Sequence, residues 1–370
     1  MKIKVCYLVS SLCNEGPVNV IYNIIRYINF KRFDVSVITF IPEKTNTRID
    51  EFRRLPIEIH QLNKDISNGM FVIYKQLKVK LAEINPDELH AHCPRSLYLL
   101  PFLSKKYKKL YTIHIYPGKQ QLMLYGKFKG RIVITLNHIF TRMCDKPIGC
   151  SENIGMQYKQ KKGWHVECVS NGCSMPIWKT DEQEKELLRL EFGLKKDVRY
   201  FIFIGRFSKE KNPDILVDVF NYIDRQDVGL IMLGDGIMWK DLKRKAGENI
   251  IMPGFTNRVY DYLKASDYYI SLSDVEGLAN TLLESMSVGL PMLLSDIPSH
   301  NDVLAGVKYE TAGYVVKSKD IHEICRFLDK ILLLDTEKVK QSLGALYTEK
   351  YTAQIMSEHY QNIYERVNME

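Results

Sequence analysis

Two glutamates frame a short apolar segment in the second half of the chain. The segment reads EGLANTLLE, with Glu276 at its start and Glu284 at its end. It follows the apolar run DYYISLS, which is typical of a buried strand, so Glu276 is predicted in the turn and Glu284 in the next helix. Ligands of open α/β sheets bind at the carboxyl ends of the strands. Two carboxylates placed there can accept hydrogen bonds from hydroxyl groups of a ligand.

Glu284 also has a purely structural interpretation. Thr281-Leu282-Leu283-Glu284 fits a capping box, in which the Thr281 hydroxyl and the Glu284 carboxylate bind free amide groups of the first helical turn. The sequence by itself leaves both roles open.

Cations follow a second predicted strand, FIFIG, which ends at Gly205. The next residues include Arg206 and Lys211. The planar fork of an arginine can bind two phosphate oxygens and a lysine adds a point charge, as a diphosphate requires. The alternative interpretation is a solvated turn before a helix that Asn212-Pro213 begins.

These residues need a scaffold of parallel strands. Apolar runs typical of buried strands alternate with amphipathic stretches along the whole chain; the runs are KVCYLVSS, DVSVITFI, KLYTIHI, RIVITLN, RYFIFIG, VGLIMLGDG, DYYISLS and GLPMLLSD. Such alternation predicts an α/β fold with doubly wound sheets covered on both faces. The pattern restarts once, so we expect a linker near residues 171–178 and two Rossmann-like domains that face a cleft.

Length and composition agree with this fold class. A chain of 370 residues with 45% hydrophobic and 26% charged residues suggests two globular domains. Its net charge of +8 implies an anionic partner, but no nucleic-acid-binding motif is present. No apolar run is long enough to span a bilayer, and the eight scattered cysteines without a C-x-x-C pair predict reduced thiols in the cytoplasm. His90, His92 and Cys93 could bind zinc, but no second ligand cluster is evident.

Several motifs together resemble the retaining glycosyltransferases of family 4, which have the GT-B fold. One is Ser170-Asn171-Gly172. In the second half they are GRFSKEKN, Gly234-Asp235-Gly236 and SDYYISLSDVEGLANTLLESMSVGLPMLLSD, which contains the family's pair of glutamates. In the first half, SSLCNEGPVNVIYNI, DELHAHCPRS and YTIHIYPG are similar to the enzymes that build bacterial surface polysaccharides such as O-antigen, capsule and exopolysaccharide.

The resemblance implies a role for each site residue. Catalytic roles would belong to His114, Glu276, Arg206 and Lys211. The donor would be bound by Gly16, Gly205, Arg206, Lys211, Gly277, Leu278 and Glu284. Arg206 and Lys211 would hold the diphosphate, Glu284 the ribose and Glu276 the sugar. The chain departs from many relatives at Glu15-Gly16-Pro17, where they have a glycine pair. Pro17 has no amide hydrogen to donate to a phosphate.

The resemblance also implies the reaction. A sugar would move, with retention of configuration, from a UDP- or GDP-linked donor to a glycan or lipid-linked glycan acceptor, without a metal or other cofactor. Residues 1–172 would form the acceptor-side domain, residues 173–351 the donor domain, and a C-terminal helix over 352–370 would pack back on the first.

Three other functions share parts of this pattern. A dinucleotide oxidoreductase needs G-x-G-x-x-G, and the nearest candidate, GDGIMW, has Trp239 in place of the third glycine. A GT-B sugar-nucleotide epimerase would release free nucleotide from the donor without an acceptor. A non-catalytic nucleotide- or carbohydrate-binding protein would bind the donor without turnover.

An anionic membrane surface is a further predicted partner. LYLLPFLSKKYKKLY and YKQKKGW set apolar residues beside clusters of lysine, namely Lys105, Lys106, Lys108, Lys109, Lys159, Lys161 and Lys162. The chain is therefore expected to be cytoplasmic and peripheral at the inner face of the membrane. The alternative is a solvated helix face.

Overall fold

The structure is a computed structural model that describes residues 2–62, 69–176, 181–307 and 311–369. The chain forms two compact units, one of residues 1–174 with 352–370 and one of residues 175–351. Of the linker predicted near residues 171–178, positions 177 and 178 lie outside the described residues.

The first unit is built on a parallel sheet. Among its described residues the sheet has seven strands in the order β3-β2-β1-β4-β5-β6-β7. They are β1 (Ile3–Val9), β2 (Phe33–Thr39), β3 (Glu58–Gln61), β4 (Glu88–Ala91), β5 (Lys108–Ile113), β6 (Lys146–Gly149) and β7 (Glu167–Cys168). The helices between them are α1 (Gly16–Arg26), α2 (Ile49–Arg53), α3 (Met70–Ile84), α4 (Pro94–Leu99), α5 (Lys119–Arg142) and α6 (Glu152–Lys162).

The second unit has a parallel sheet of six strands among its described residues, in the order β10-β9-β8-β11-β12-β13. The strands are β8 (Arg199–Ile204), β9 (Val228–Leu233), β10 (Ile250–Gly254), β11 (Tyr268–Ser271), β12 (Met292–Ser295) and β13 (Gly313–Val316). The helices are α7 (Glu182–Glu191), α8 (Pro213–Tyr222), α9 (Trp239–Lys245), α10 (Val259–Ala265), α11 (Asn280–Val288), α12 (Pro298–Ala305), α13 (Ile321–Ile331) and α14 (Thr336–Lys350).

The last helix, α15 (Ala353–Met369), belongs to the first unit. Its side chains Tyr360 and Tyr364 are buried in the same core as α1. The Ser357 hydroxyl donates to the carbonyl oxygen of Ile24 at 2.7 Å, which fixes the helix along α1.

The strand order explains where the second unit can bind a ligand. Each β-strand of a parallel sheet that helices cover on both faces needs apolar side chains on both sides, and β9 (VGLIML) is buried at every position. The chain leaves β8 in one direction toward β9 and in the other toward β11, so the order reverses between β8 and β11. Doubly wound sheets bind ligands in the crevice at such a point.

The run RIVITLN is not a strand, contrary to the prediction. These residues lie inside α5, and the strand between α5 and α6 is β6, KPIG. The run is apolar because the exposed face of α5 is apolar, whereas the prediction assumed that an apolar run is buried.

The predicted basic cluster after Phe102 is also wrong in part. Lys109 is buried in β5, and its ammonium donates to the carbonyl oxygen of Leu103 at 2.9 Å. Most of the apolar run before it is buried as well, because Leu97, Leu99 and Leu100 face the core. Phe102, Lys105 and Lys106 remain exposed. Within the described part of the chain, no helix combines the length and hydropathy needed to cross a bilayer.

Candidate active site at the carboxyl edge of the second sheet

An ion pair joins the turns that follow two neighbouring strands. The Lys211 ammonium, in the turn after β8, pairs with the Glu276 carboxylate, in the turn after β11. Their side chains are 21% and 10% exposed, so solvent screens the pair only weakly. The structure thus brings together a cation and an acid that the sequence predicted as parts of one site.

Hydrogen bonds between the same two turns hold this pair in place. The amide of Asp274 donates to the carbonyl oxygen of Glu210 at 2.8 Å. The side-chain amide of Asn212 donates to the carbonyl oxygen of Leu272 at 2.7 Å. Asn212 has a φ of 49°, a left-handed conformation that asparagine tolerates better than most residues, and α8 begins directly after it. The geometry of the site is therefore set by backbone contacts as well as by charge.

Glu276 is ionised at neutral pH. Burial alone raises the pKa of its carboxyl group, but the Lys211 ammonium and a hydrogen bond from Ser273 lower the pKa below its ordinary value of 4.5. A buried carboxylate with one cationic partner keeps further lone pairs for hydroxyl donors.

Arg206 supplies a second positive charge to this edge. It follows Gly205 at the end of β8, its side chain is exposed, and it has no ion-pair partner among the residues that the structure describes. Its guanidinium is therefore available to an anionic ligand, whereas Lys211 is neutralised by Glu276 until a ligand competes for it.

Glycines allow the loop after β9 to lie directly on the loop after β8. Gly234 has a φ of 130°, and a Cβ at this position would collide with the carbonyl oxygen of Gly205. The amide of Phe207 donates to the carbonyl oxygen of Asp235 at 2.9 Å, which joins the two loops. Any side chain at position 234 would push the loop that carries Arg206 away from the sheet.

The predicted capping box at Thr281 does not form. α11 begins at Asn280 with Ala279 as its N-cap, and no side chain caps it. Thr281 is already inside the first turn, where its hydroxyl cannot reach the free amides, and it instead lies 3.0 Å from the Tyr269 hydroxyl. Glu284 is half-buried one turn further along α11. The capping interpretation of Glu284 is therefore wrong, and ligand binding remains a prediction for this residue.

The short segment between Glu276 and α11 contains the two other predicted donor-binding residues. Gly277 and Leu278 are both buried there. Gly16 lies in the first unit, where it begins α1, and a Cβ at this position would meet no atom of another part of the chain within 4 Å.

His300 was not predicted from the sequence, yet it lies beside the ion pair. It is 1% exposed in α12, and its Nδ1 lies 3.1 Å from the carbonyl oxygen of Ser295. Burial lowers its pKa to about 4, and the charges of Glu276 and Lys211 both act on it. Within the described residues its Nε2 has no hydrogen-bond partner. The feature of the sequence that could have identified His300 is its place shortly after the apolar strand GLPMLLSD.

His114 lies at the carboxyl end of β5 in the first unit. Its Nε2 is 3.1 Å from Nδ1 of His92, and its carbonyl oxygen accepts from the Cys150 thiol at 3.3 Å. Burial lowers its pKa to about 4, so the imidazole is neutral at physiological pH. It can exchange hydrogen bonds with a ligand but carries no charge.

His90 in the motif HAHC is not available as a zinc ligand. His90 uses both ring nitrogens, 2.8 Å from the Tyr364 hydroxyl and 2.8 Å from the Thr112 hydroxyl. No group of three or more His, Cys, Asp or Glu side chains suited to a metal ion occurs in the part of the chain that the structure describes.

Known proteins are similar to this chain in sequence and in fold. Residues 184–344 match the family model of glycosyl transferases group 1. The chain is 25% identical over 223 residues to a UDP-Gal:alpha-D-GlcNAc-diphosphoundecaprenol alpha-1,3-galactosyltransferase of Escherichia coli, and this match spans 56% of each chain, just over half of that enzyme. It is 24% identical to the O-antigen biosynthesis glycosyltransferase WclY of Escherichia coli over 98% of each chain.

A solved structure agrees with the fold. HepE of Anabaena, crystallised in complex with UDP and glucose, matches with a TM-score of 0.80 at 16% identity over 98% of this chain and 99% of that one. The predicted α/β class with two Rossmann-like domains is therefore confirmed. Residues 184–344 in the second unit thus resemble the glycosyl transferases of group 1, and the chain has the GT-B fold and is similar to bacterial glycosyltransferases of O-antigen synthesis.

Proposed function

We propose that this chain is a retaining glycosyltransferase of family 4 that transfers a sugar from a nucleoside diphosphate sugar. The observation that carries the proposal is the Lys211–Glu276 ion pair next to the exposed Arg206, at the carboxyl ends of β8 and β11. Two cations and a carboxylate match a ligand that joins a diphosphate to a sugar with free hydroxyl groups.

UDP is the nucleotide that we favour over GDP. The Escherichia coli galactosyltransferase is named for a UDP-linked donor, and the HepE crystals contain UDP with glucose. In this proposal Gly205, Gly277 and Leu278 contact the donor through their backbone, and Glu284 accepts hydrogen bonds from the ribose. Gly16 and His114 contribute from the first unit.

The proposed reaction breaks the bond between the anomeric carbon and a diphosphate oxygen. Negative charge grows on the leaving diphosphate, and the guanidinium of Arg206 and the ammonium of Lys211 stabilise it. The acceptor hydroxyl attacks from the face that the diphosphate leaves, and its proton passes to an oxygen of the leaving phosphate. Glu276 orients the sugar by accepting its hydroxyl hydrogens. The cations supply the electrostatic stabilisation, so we propose that no metal is required.

We propose a glycan or lipid-linked glycan as the acceptor, in the synthesis of a bacterial surface polysaccharide. The galactosyltransferase named above acts on a diphosphoundecaprenol-linked sugar, and WclY is named for O-antigen biosynthesis. All eight cysteines are free thiols, which fits the proposed cytoplasmic location at the inner face of the membrane.

A panel of nucleotides tests the donor proposal. UDP is expected to raise the melting temperature more than GDP, ADP or CMP do, because a ligand that binds only the folded state adds about 2.7 kcal/mol at 100 times its Kd. Uridine and UMP, tested alongside, show how much of the shift in melting temperature the diphosphate supplies.

Turnover with UDP-sugars then distinguishes the glycosyltransferase from the epimerase and from the binding protein. Release of UDP together with an epimerised sugar, without an acceptor, indicates an epimerase, and binding without turnover of any donor or acceptor indicates a binding protein.

His114→Ala is expected to lower turnover about 10-fold while leaving the affinity for UDP unchanged, because one hydrogen bond to the sugar is lost. With a pKa of about 4, wild-type His114 stays neutral from pH 5.5 to 8, so it contributes no change in rate across that range. Steady-state kinetics and UDP titration measure both effects. His165→Ala, at an exposed histidine of the same unit, is the matched control. A folded His114→Ala enzyme with wild-type turnover would remove His114 from the mechanism.

A further inference from the structure

The helix α5 has its polar and apolar faces reversed relative to an ordinary surface helix. Its buried residues are Gln121, Gly130, Asn137, His138 and Thr141, all small or polar. Its exposed residues include large apolar side chains, namely Leu122, Leu124, Tyr125, Phe128, Ile132, Leu136 and Ile139. A surface helix of a globular protein normally buries its apolar stripe and exposes its polar face.

Polar side chains on the inner face of α5 form hydrogen bonds with other groups of the protein. The Tyr98 hydroxyl donates to Oδ1 of Asn137 at 2.5 Å, and the amide of Gly118 donates to Oε1 of Gln121 at 2.7 Å. Asn137 and Gln121 on the inner face are therefore hydrogen-bonded within the protein, and the apolar face is turned away from its core.

Two glycines shape this surface. Gly126 has a φ of 74°, which interrupts the helix between a segment over residues 119–125 and a segment over residues 127–142. A Cβ at Gly130 would lie 2.8 Å from the carbonyl oxygen of Gln121, so the first segment folds back onto the second at close range. Both segments then expose apolar side chains, with Leu124 51% and Phe128 79% exposed.

The exposed apolar residues of the second segment form one continuous stripe. Phe128, Ile132, Leu136 and Ile139, with the C-cap residue Met143, recur at intervals of three or four residues, which places them on one side of a helix about 24 Å long. Phe102, which is 62% exposed, extends the stripe, since its ring centroid lies 6.1 Å from that of Phe140. An apolar surface of this size on a water-soluble protein marks an interaction site.

The charge of α5 indicates what the surface binds. The sequence KQQLMLYGKFKGRIVITLNHIFTR contains five basic residues and no aspartate or glutamate. Lys127, Lys129 and Arg131 are exposed around Phe128. Long basic side chains can lay their methylene groups along an apolar surface and extend their charges toward anionic headgroups.

We propose that the apolar face of α5 docks on an anionic lipid bilayer, with Phe128 and its neighbours in the interface and Lys127, Lys129 and Arg131 on the headgroups. A second copy of the chain fits this surface less well, because a two-fold dimer places the same cations of both copies against one another. The surface differs from the lysine clusters that the sequence predicted. It rests on the exposed face of α5 with Phe102 beside it, and it holds whether or not the proposed reaction does.

Docking through α5 would place the bilayer close to the loop that follows His114. The helix begins at Lys119, directly after the loop that follows His114 and β5. A bilayer on α5 therefore lies next to the loop at the carboxyl end of β5, where a lipid-linked molecule would be within reach of the first unit.

Sedimentation with vesicles tests the proposal without an activity assay. The wild-type chain is expected to bind vesicles of phosphatidylglycerol and phosphatidylcholine at low salt, and to bind pure phosphatidylcholine far more weakly. The variant Lys127→Glu/Lys129→Glu/Arg131→Glu is expected to lose at least on the order of 100-fold in affinity, about 5-fold for each charge removed. Phe128→Ser/Ile132→Ser is expected to lose vesicle affinity by a similar factor. High salt is expected to remove all the binding that this variant retains.

Matched controls come from exposed helices of the second unit. Lys243→Glu/Arg244→Glu/Lys245→Glu in α9 removes three exposed cations, and Leu187→Ser/Leu190→Ser in α7 removes two exposed apolar side chains. Both controls are expected to bind vesicles like the wild type, and melting curves check that every variant is folded. Absent wild-type binding, or equal binding by the α5 variants, would overturn the proposal. A wild-type dimer that Phe128→Ser/Ile132→Ser converts to a monomer, with vesicle binding absent, would show that the face joins two copies instead.

Discussion

Arg206→Ala is expected to lower the rate of sugar transfer by about 10²–10³ while leaving the fold intact. The loss of one preorganised charge that faces developing negative charge has this magnitude in other enzymes. The side chain is exposed at the end of β8, so its removal leaves no cavity and no buried charge without a partner. Initial rates with the donor found by the nucleotide panel measure the effect.

The turn that contains Arg206 also offers its own control. Lys209 is an exposed cation three residues further along, and Lys209→Ala is expected to retain nearly the full rate. The proposal also expects wild-type transfer to continue in EDTA. A rate that EDTA abolishes and Mg²⁺ restores, or an Arg206→Ala enzyme close to the wild-type rate, would show that the leaving group is stabilised in another way.

Lys211→Ala is expected to damage both catalysis and stability. It removes a charge from the leaving diphosphate, with a loss of about 10²–10³ in rate. It also leaves the carboxylate of Glu276, whose side chain is 10% exposed, without its cation, and breaking a buried pair in this way costs about 3 kcal/mol of unfolding free energy. Arg206→Ala shares the first effect but not the second.

The stability loss of Lys211→Ala has a definite pH dependence. In the wild type the pKa of Glu276 lies below 4.5, so its contribution to stability is present above pH 4.5 and is lost as the pH falls through the lowered pKa. Without Lys211, burial raises the pKa of Glu276, and the ionised form becomes unfavourable in the folded state above pH 4.5. The difference in melting temperature between wild type and variant is therefore expected to grow from pH 4 to pH 7.

Two further variants separate charge from geometry at this pair. Glu276→Gln/Lys211→Met removes both charges and is expected to recover most of the stability but none of the activity. Lys211→Arg keeps the charge, yet a planar fork does not replace a compact ammonium at a fitted site, so we expect only partial activity. A Lys211→Ala protein with wild-type stability at pH 7 would contradict the ion pair.

The sheet of the second unit could be predicted because its strands are nearly all apolar. RYFIFIG, VGLIMLGDG, DYYISLS and GLPMLLSD became β8, β9, β11 and β12, since helices cover both faces of a parallel sheet and its central strands are therefore mostly apolar. Arg206 and Glu276 could be assigned to one edge for the same reason, because residues that follow parallel strands emerge at the same end.

The same rule failed where the apolar residues are not buried. RIVITLN has the composition of a strand, but it lies on a helix whose apolar side faces outward, and composition does not record which way a face points. Lys109 was predicted at the surface, yet its alkyl chain lies in the core and its ammonium reaches a backbone carbonyl group.

The sequence by itself determined the most apolar strands, namely β1, β2, β5, β8, β9, β11 and β12, and the residues that follow them, because burial on both faces leaves a strong local pattern. Only the tertiary structure decided which of those residues meet. The pairing of Lys211 with Glu276, the burial of His300 beside them and the start of α11 at Asn280 depend on how turns from β8, β11 and β12 pack together. Contacts between residues far apart in the chain arise from sheet order and backbone hydrogen bonds, which no local pattern of residues encodes.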